Sequence, residues 1–208
     1  MDRGMILFLG FVLTFGSSWA GLVYAPRLQL GGLDSVGEAG TAQAYPRVRT
    51  EQEERGKRVY EANGCLYCHS QQIRSTTFGN NADIARGWGR RRSVPRDYVN
   101  DQPILLGTMR TGPDLANVGQ RWSADWQHKH LYNPRMMVPK SIMPSLRFLY
   151  EIRPMVDGKP SPEAIALTGA WAAEIPEGSE VIPTEDAKAL VAYLLSLDQS
   201  ADLPEARE

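Results

Sequence analysis

Cysteine is scarce in this 208-residue chain: there are two, Cys65 and Cys68. Two cannot build a disulfide framework, and a bridge between residues three apart would staple almost nothing. An excess of one charge is also missing. The 23 Lys and Arg stand against 24 Asp and Glu, for a formal net charge of −1. No global field therefore steers the chain to nucleic acid or to an acidic substrate. Histidine occurs three times. There is no second Cys pair, and His128 and His130 are only two positions apart, so a structural zinc site lacks its four ligands. No convincing strand pair and no internal repeat is visible, which leaves a thioredoxin-like dithiol without its strand–helix setting. What is plentiful is Gly (19) and Pro (14), the punctuation of loop and turn. The length allows one domain with its own core plus appendages.

A long uncharged run occurs at the N-terminus, from Met5 to Ala25. A bilayer-spanning helix needs about 20 such residues. Trp19 and Tyr24 sit near its end, where amphipathic rings favour the headgroup level, and Pro26 and Arg27 close it. A cleaved secretory signal is the rival, with Ser18 and Ala20 placed as a small-residue cleavage site. Against it, the leading "MDRG" has no net positive charge and the apolar run continues to Val23. A retained anchor is the expectation, and either reading exports the remainder. Arg3 and Arg27 flank the run symmetrically, so charge fixes no orientation. Gly16 with Ala20, and Ser17 with Gly21, recur four apart, a spacing that admits a neighbouring helix.

Beyond the anchor (1–27), residues 28–50 read as a linker, 51–200 as a mostly α domain, and 201–208 as a tail. "TEQEERGKRVYEANG" opens on a hydroxyl N-cap, Thr50, with acidic first turns, and stops at Asn63-Gly64. Residues 75–103 have no period and read as a surface excursion. "SADWQHKHLYN" is a short helix capped by Ser123 and stopped before Pro134. Residues 134–162 read as irregular chain. "TEDAKALVAYLLSL" starts at Thr184 and carries a broad apolar face of Leu190, Val191, Leu194, Leu195 and Leu197.

The two cysteines stand in Cys65-Leu66-Tyr67-Cys68-His69, just past the first of these helices. Cys-x-x-Cys-His is the signature of covalent c-type haem attachment. Thiols three positions apart on one turn reach the two vinyl groups along one side of a porphyrin, and the adjacent His69 projects beneath the iron. A haem would also give a loop-rich domain apolar surface to fold around, at roughly 25 cal/mol per Å². The sixth ligand is a Met, a second His or none. Met136, Met137, Met143, Met155, His128 and His130 are the candidates. Met143 is favoured: Pro144 fixes the backbone beside it, and Pro134 and Pro139 stiffen the approach. Met136 and Met137 read as filler against the haem edge, and the two histidines as surface residues. A ligating His needs an acceptor for its other nitrogen, and "TGPDL" offers the carbonyl of Pro113. From their positions, Arg110, Arg121 and Trp122 are candidate donors to haem propionates. The run Arg90-Arg91-Arg92 is either a dock for an acidic electron donor or a solvated loop, the second being preferred.

"YEANGCLYCHSQQIR", "RTGPDLANVGQRWSADWQHKHLYNPR", "VPKSIMP" and "ALVAYLLSL" resemble the mono-haem cytochrome c subunit of cbb-type haem-copper oxidases. The resemblance covers most of the chain in order. It implies a class I cytochrome c domain on the periplasmic side of the bacterial inner membrane. It implies one covalent haem c at Cys65 and Cys68, with His69 and Met143 on the iron. The implied partners are a soluble or di-haem cytochrome c donor and the multispanning haem-copper catalytic subunit, where oxygen is reduced. The sequence departs from the family at Gln72, where a Met is usual, at "SLRFLY", and at "ARGWGRRRSVPR". A second reading is a cytochrome c subunit of another complex, similar to that of nitric oxide reductase, or a free-standing tethered shuttle or haem sensor.

Overall fold

The computed structural model describes residues 2–37 and 44–207; positions 38–43 of the expected linker lie outside them. The chain forms two compact units, Met1–Arg47 with Val94–Asn100, and Val48–Ser93 with Asp101–Glu208.

The first unit begins with helix α1 (Arg3–Trp19), which passes through a wide π turn (Ala20–Tyr24) into α2 (Ala25–Leu30). Together they make one helix of 28 residues, about 42 Å at 1.5 Å per residue, enough for a hydrocarbon layer of about 30 Å. The helix runs three residues past the expected stop at Arg27. Pro26 has no N–H to give and its ring crowds the preceding turn. The π turn widens the helix just before it, with the Ala25 N–H reaching back five residues to the Ala20 carbonyl. Between Arg3 and Arg27 the side chains are uncharged and predominantly apolar on all sides, and none is buried, the pattern of a helix whose solvent is lipid. Two of its hydroxyls close internally, Thr14 Oγ1 on the Gly10 carbonyl at 2.9 Å and Ser17 Oγ on that of Thr14 at 3.1 Å, which suits a helix in hydrocarbon. Residues 34–36 and 44–46 of the expected linker are ordered by contacts within the unit. Val36 and Tyr45 exchange backbone bonds of 2.7 and 2.8 Å, and Tyr45 Oη donates to Asp97 Oδ1 at 2.6 Å.

The second unit is mostly helical. It contains α3 (Glu51–Ala62), α4 (Asn80–Ala85), α5 (Ala124–Tyr132) and α6 (Glu185–Ser196). Thr50 and Glu53 form a reciprocal capping box at α3, Ser123 Oγ accepts from Trp126 N–H at 3.2 Å, and Thr184 Oγ1 accepts from Ala187 N–H at 3.3 Å. Each such cap is worth about 1 kcal/mol. The expected irregular stretch holds a strand, β1 (Tyr150–Pro154), paired antiparallel with β2 (Ser179–Pro183), Tyr150 lying opposite Pro183. A pair of five-residue strands, each ending in Pro, gives too little alternation to read from sequence. Side-chain bonds reinforce the pair: Glu180 is buried, and its carboxylate accepts from its cross-strand partner Arg153 Nε at 2.9 Å and from Ser161 N–H at 2.6 Å. These bonds keep its pKa below the usual carboxylate value.

The core lies where α3 crosses α6. Tyr60 and Tyr193 meet edge to face at 5.4 Å between ring centroids. Leu190, Val191 and Leu194 fill the space around them with Leu131 and Tyr132 of α5, each large apolar side chain contributing roughly 1.5–3 kcal/mol on burial. Gly56 sets the closeness of the crossing: a Cβ there would lie 1.9 Å from the Ala189 carbonyl oxygen. Gly56→Ala is therefore expected to push α3 off α6 and lower stability by at least about 1–3 kcal/mol. Thermal unfolding followed by far-UV circular dichroism checks this, and an unchanged midpoint contradicts it.

Candidate haem site

The site grows out of the end of α3. Gly64 takes the left-handed backbone at φ +66° that stops the helix, and one 3-10 turn (Cys65–Tyr67) follows. The Cys65 carbonyl accepts from both Cys68 N–H at 3.2 Å and His69 N–H at 3.0 Å. That double bond to one oxygen fixes the three side chains on a single turn. Both cysteines are free thiols, Cys65 half-buried and Cys68 exposed. Burial, with the neighbouring Cys68, pushes the Cys65 thiol up to about 11.

His69 is clamped on one side. Its Nδ1 lies 2.7 Å from the Pro113 carbonyl oxygen, so Nδ1 carries the proton and Nε2 is left with its lone pair. Nε2 makes no hydrogen bond among the described residues. Burial lowers the pKa of the ring, against the opposing pull of Pro113 and Asp114. Beneath the ring lies Gly112, where a Cβ would fall 2.2 Å from His69 Cε1; only glycine lets the backbone lie flat against the imidazole. Gly112 N–H in turn donates to the Cys68 carbonyl at 2.9 Å.

Met143 lies on the far loop, partly buried against the same apolar cluster as Cys65, Leu66, Leu115 and Met136. Its N–H donates to Ser141 Oγ at 3.2 Å, and its carbonyl accepts from Arg135 Nη1 at 3.4 Å. The loop is tied to the end of α5 by Leu146 N–H on the Leu131 carbonyl at 2.9 Å. Met137 is half-buried nearby in sequence. This donor set fits a haem: two thiols on one turn, an imidazole seated with one nitrogen open, and partly buried apolar side chains from both segments. Among the described residues no three His, Cys, Asp or Glu side chains converge as a metal cage.

The expected propionate donors part company. Arg121 is partly buried, which lowers its pKa, and its guanidinium makes no hydrogen bond or ion pair among the described residues, touching only the Trp122 ring at 5.9 Å. Arg110 is committed elsewhere, contrary to expectation. It grips Asp83 with two nitrogens at 2.6 and 3.1 Å, donates to Ser70 Oγ at 2.8 Å and reaches the Gln72 carbonyl at 2.5 Å. Trp122 likewise stacks on Trp126. His128 and His130, expected at the surface, are partly buried on α5. His128 Nδ1 lies 3.1 Å from Tyr150 Oη, and burial with the nearby His69 lowers His130 to about 4.

The unforeseen centre is the buried triad Arg110, Asp83 and Asp114. Both carboxylates are inaccessible to solvent. Asp114 accepts from Ser70 Oγ at 2.6 Å, Gln72 N–H at 2.9 Å and Ala116 N–H at 2.8 Å. Desolvation still raises its pKa. Gln72 enters through its backbone, and its side chain is exposed. The supposed excursion is thus folded inward around Asp83 and Trp88, the indole lying against both Arg86 and Arg110 at 4.8 and 5.1 Å. A cleft of about 580 Å³ opens beside this knot, lined by Gln72, Arg74, Phe78 and Arg92. In the basic run, Arg91 Nε donates to the Ala201 carbonyl at 2.6 Å and Arg92 to that of Glu205. Two of the three arginines therefore staple the C-terminal tail.

A mostly helical domain with one Cys-x-x-Cys-His turn, joined to a helix of membrane-spanning length, defines a mono-haem electron-transfer protein of the membrane-associated class. Residues 38–166 match the family described as cytochrome c oxidase, mono-heme subunit/FixO. The match spans more than half of the chain and includes Cys65, Cys68, His69, Pro113 and Met143. The chain belongs to this family, the mono-haem subunit of cbb3-type oxidases. A search of curated proteins returns no match.

Asp83→Asn would leave Arg110 without its bidentate partner. Removing one member of a buried ion pair costs about 3–5 kcal/mol. The expected result is a large fall in the urea midpoint, with the paired change Arg110→Met and Asp83→Leu losing less than either single variant. Equal losses in all three would contradict the account.

Proposed function

We propose that this chain carries one haem covalently, through thioethers from Cys65 Sγ and Cys68 Sγ, with the iron between His69 Nε2 and Met143 Sδ. The observation that carries the reading is the seat of His69: one nitrogen held by Pro113, the ring resting on Gly112, and the other nitrogen open. A haem with His and Met ligands supplies a one-electron couple of raised potential. The protein does the rest. Pro113 fixes the tautomer and orientation of the imidazole and raises its basicity as a ligand. The loop tied by Arg135 and Leu146 holds the thioether of Met143 still. Leu66, Leu115 and Met136 would shield a bound haem from water, and Arg121 would be the side chain to pair with a propionate.

The subunit takes electrons one at a time from a cytochrome c donor, soluble or di-haem. It delivers them to the multispanning haem-copper subunit, where oxygen is reduced. The N-terminal helix is retained in the bacterial inner membrane and holds the haem domain on the extracytoplasmic face, where c-type haem is attached.

Cys65→Ala combined with Cys68→Ala is expected to remove the haem-staining band from a denaturing gel. Met143→Ala should abolish the weak near-infrared charge-transfer band of Met–iron ligation and lower the potential; survival of that band would move the ligand to Met136 or Met137. Purification in mild detergent should bring down a large multispanning partner with b-type haem, and an anchored cytochrome found alone would sink the oxidase reading.

A further inference from the structure

One face of α5 is not explained by packing alone. Trp126 and His130 share that face one turn apart, and Trp122, just before the Ser123 cap, stands in line with them. Their rings form a row, Trp122 on Trp126 at 4.4 Å and 10°, Trp126 on His130 at 4.6 Å and 15°. The outer end is open, with Trp122 41% exposed. The inner end is closed: His130 Nδ1 is shut off from solvent and makes no hydrogen bond among the described residues. It lies within electrostatic reach of His69. The next residue, Leu131, carries the carbonyl that ties the Met143 loop to the helix. The row therefore leads from solvent to the junction of the two ligand-bearing segments. Space-filling needs only apolar bulk at these positions. It does not need three near-parallel π systems with an unpartnered polar nitrogen at the inner end.

We infer that Trp122, Trp126 and His130 form a lateral electron route between the haem site and a redox protein that docks over Trp122, a carrier with an exposed haem edge of its own. The inference rests on the haem reading above. One electron leaves the ferrous donor, which becomes ferric, and arrives at the ferric iron held by His69, which becomes ferrous. No proton moves and no bond forms or breaks. The rings act as a coupling bridge and are not themselves oxidised.

The test uses the full chain with its haem in detergent. Stopped-flow reduction by a ferrous soluble cytochrome c is compared with reduction by ascorbate, which needs no docking surface. Trp122→Leu and Trp126→Leu are expected to slow the protein-driven reaction several-fold while the ascorbate rate and the absorption spectrum stay as they were. Trp126→Phe keeps a ring and retains most of the rate. An unchanged protein-driven rate in Trp122→Leu, with haem intact, overturns the route. Should Trp126→Leu lose its haem, the exposed Trp122→Leu decides alone. A wild-type chain with no covalent haem on a denaturing gel overturns the haem reading instead.

Discussion

Asp114 is a carboxylate with no access to water, and the surroundings of His69 are organised by the need to satisfy it. An isolated buried charge is untenable. Four groups meet the demand: the Ser70 hydroxyl, the N–H groups of Gln72 and Ala116, and the Arg110 guanidinium. Ser70 and Gln72 follow the Cys-x-x-Cys-His turn directly; Gly112 and Pro113 precede Asp114 directly. Satisfying one carboxylate thus clamps the segment that bears the imidazole to the segment that seats it. Arg110 extends the clamp to Asp83, and through Asp83 to Trp88.

This arrangement separates two kinds of electrostatics. Behind His69 the charges are buried, fully hydrogen-bonded and rigid. In front of it lie partly buried apolar side chains, Leu66, Leu115, Met136 and Met143. The imidazole is thus positioned by polar contacts and faced by apolar ones. The charges that set its geometry are spent on one another.

Local signals were readable from the chain, and long-range ones were not. The caps at Thr50, Ser123 and Thr184 need only three or four residues to be recognised, and the uncharged N-terminal run is continuous in sequence. Asp83 gives no such signal. It sits in a polar, Gly-rich stretch, and its burial depends on an arginine 27 positions away. The same arginine lies in the Gly-Pro block, where position alone suggested a propionate. His130 looked like surface because α5 is polar in sequence; in the structure it is partly buried and stacked on Trp126. The strand pair β1–β2 is short, ends in prolines, and is reinforced by the side-chain bond from Arg153 to Glu180 across it. For Asp83 and for the strand pair the deciding partner is distant in sequence, so neither propensity nor period reveals it.

The crossing of α3 and α6 also imposes an order in time. Arg55 and Asp186, which bridge the two helices, are 131 residues apart in the chain. Synthesis delivers α3 and the cysteine turn first and α6 last, and contacts of such separation close late. Until α6 arrives, the turn bearing Cys65 and Cys68 stands at the open edge of an unfinished core. The period in which both thiols stand uncovered is therefore set by the length of chain between the two helices.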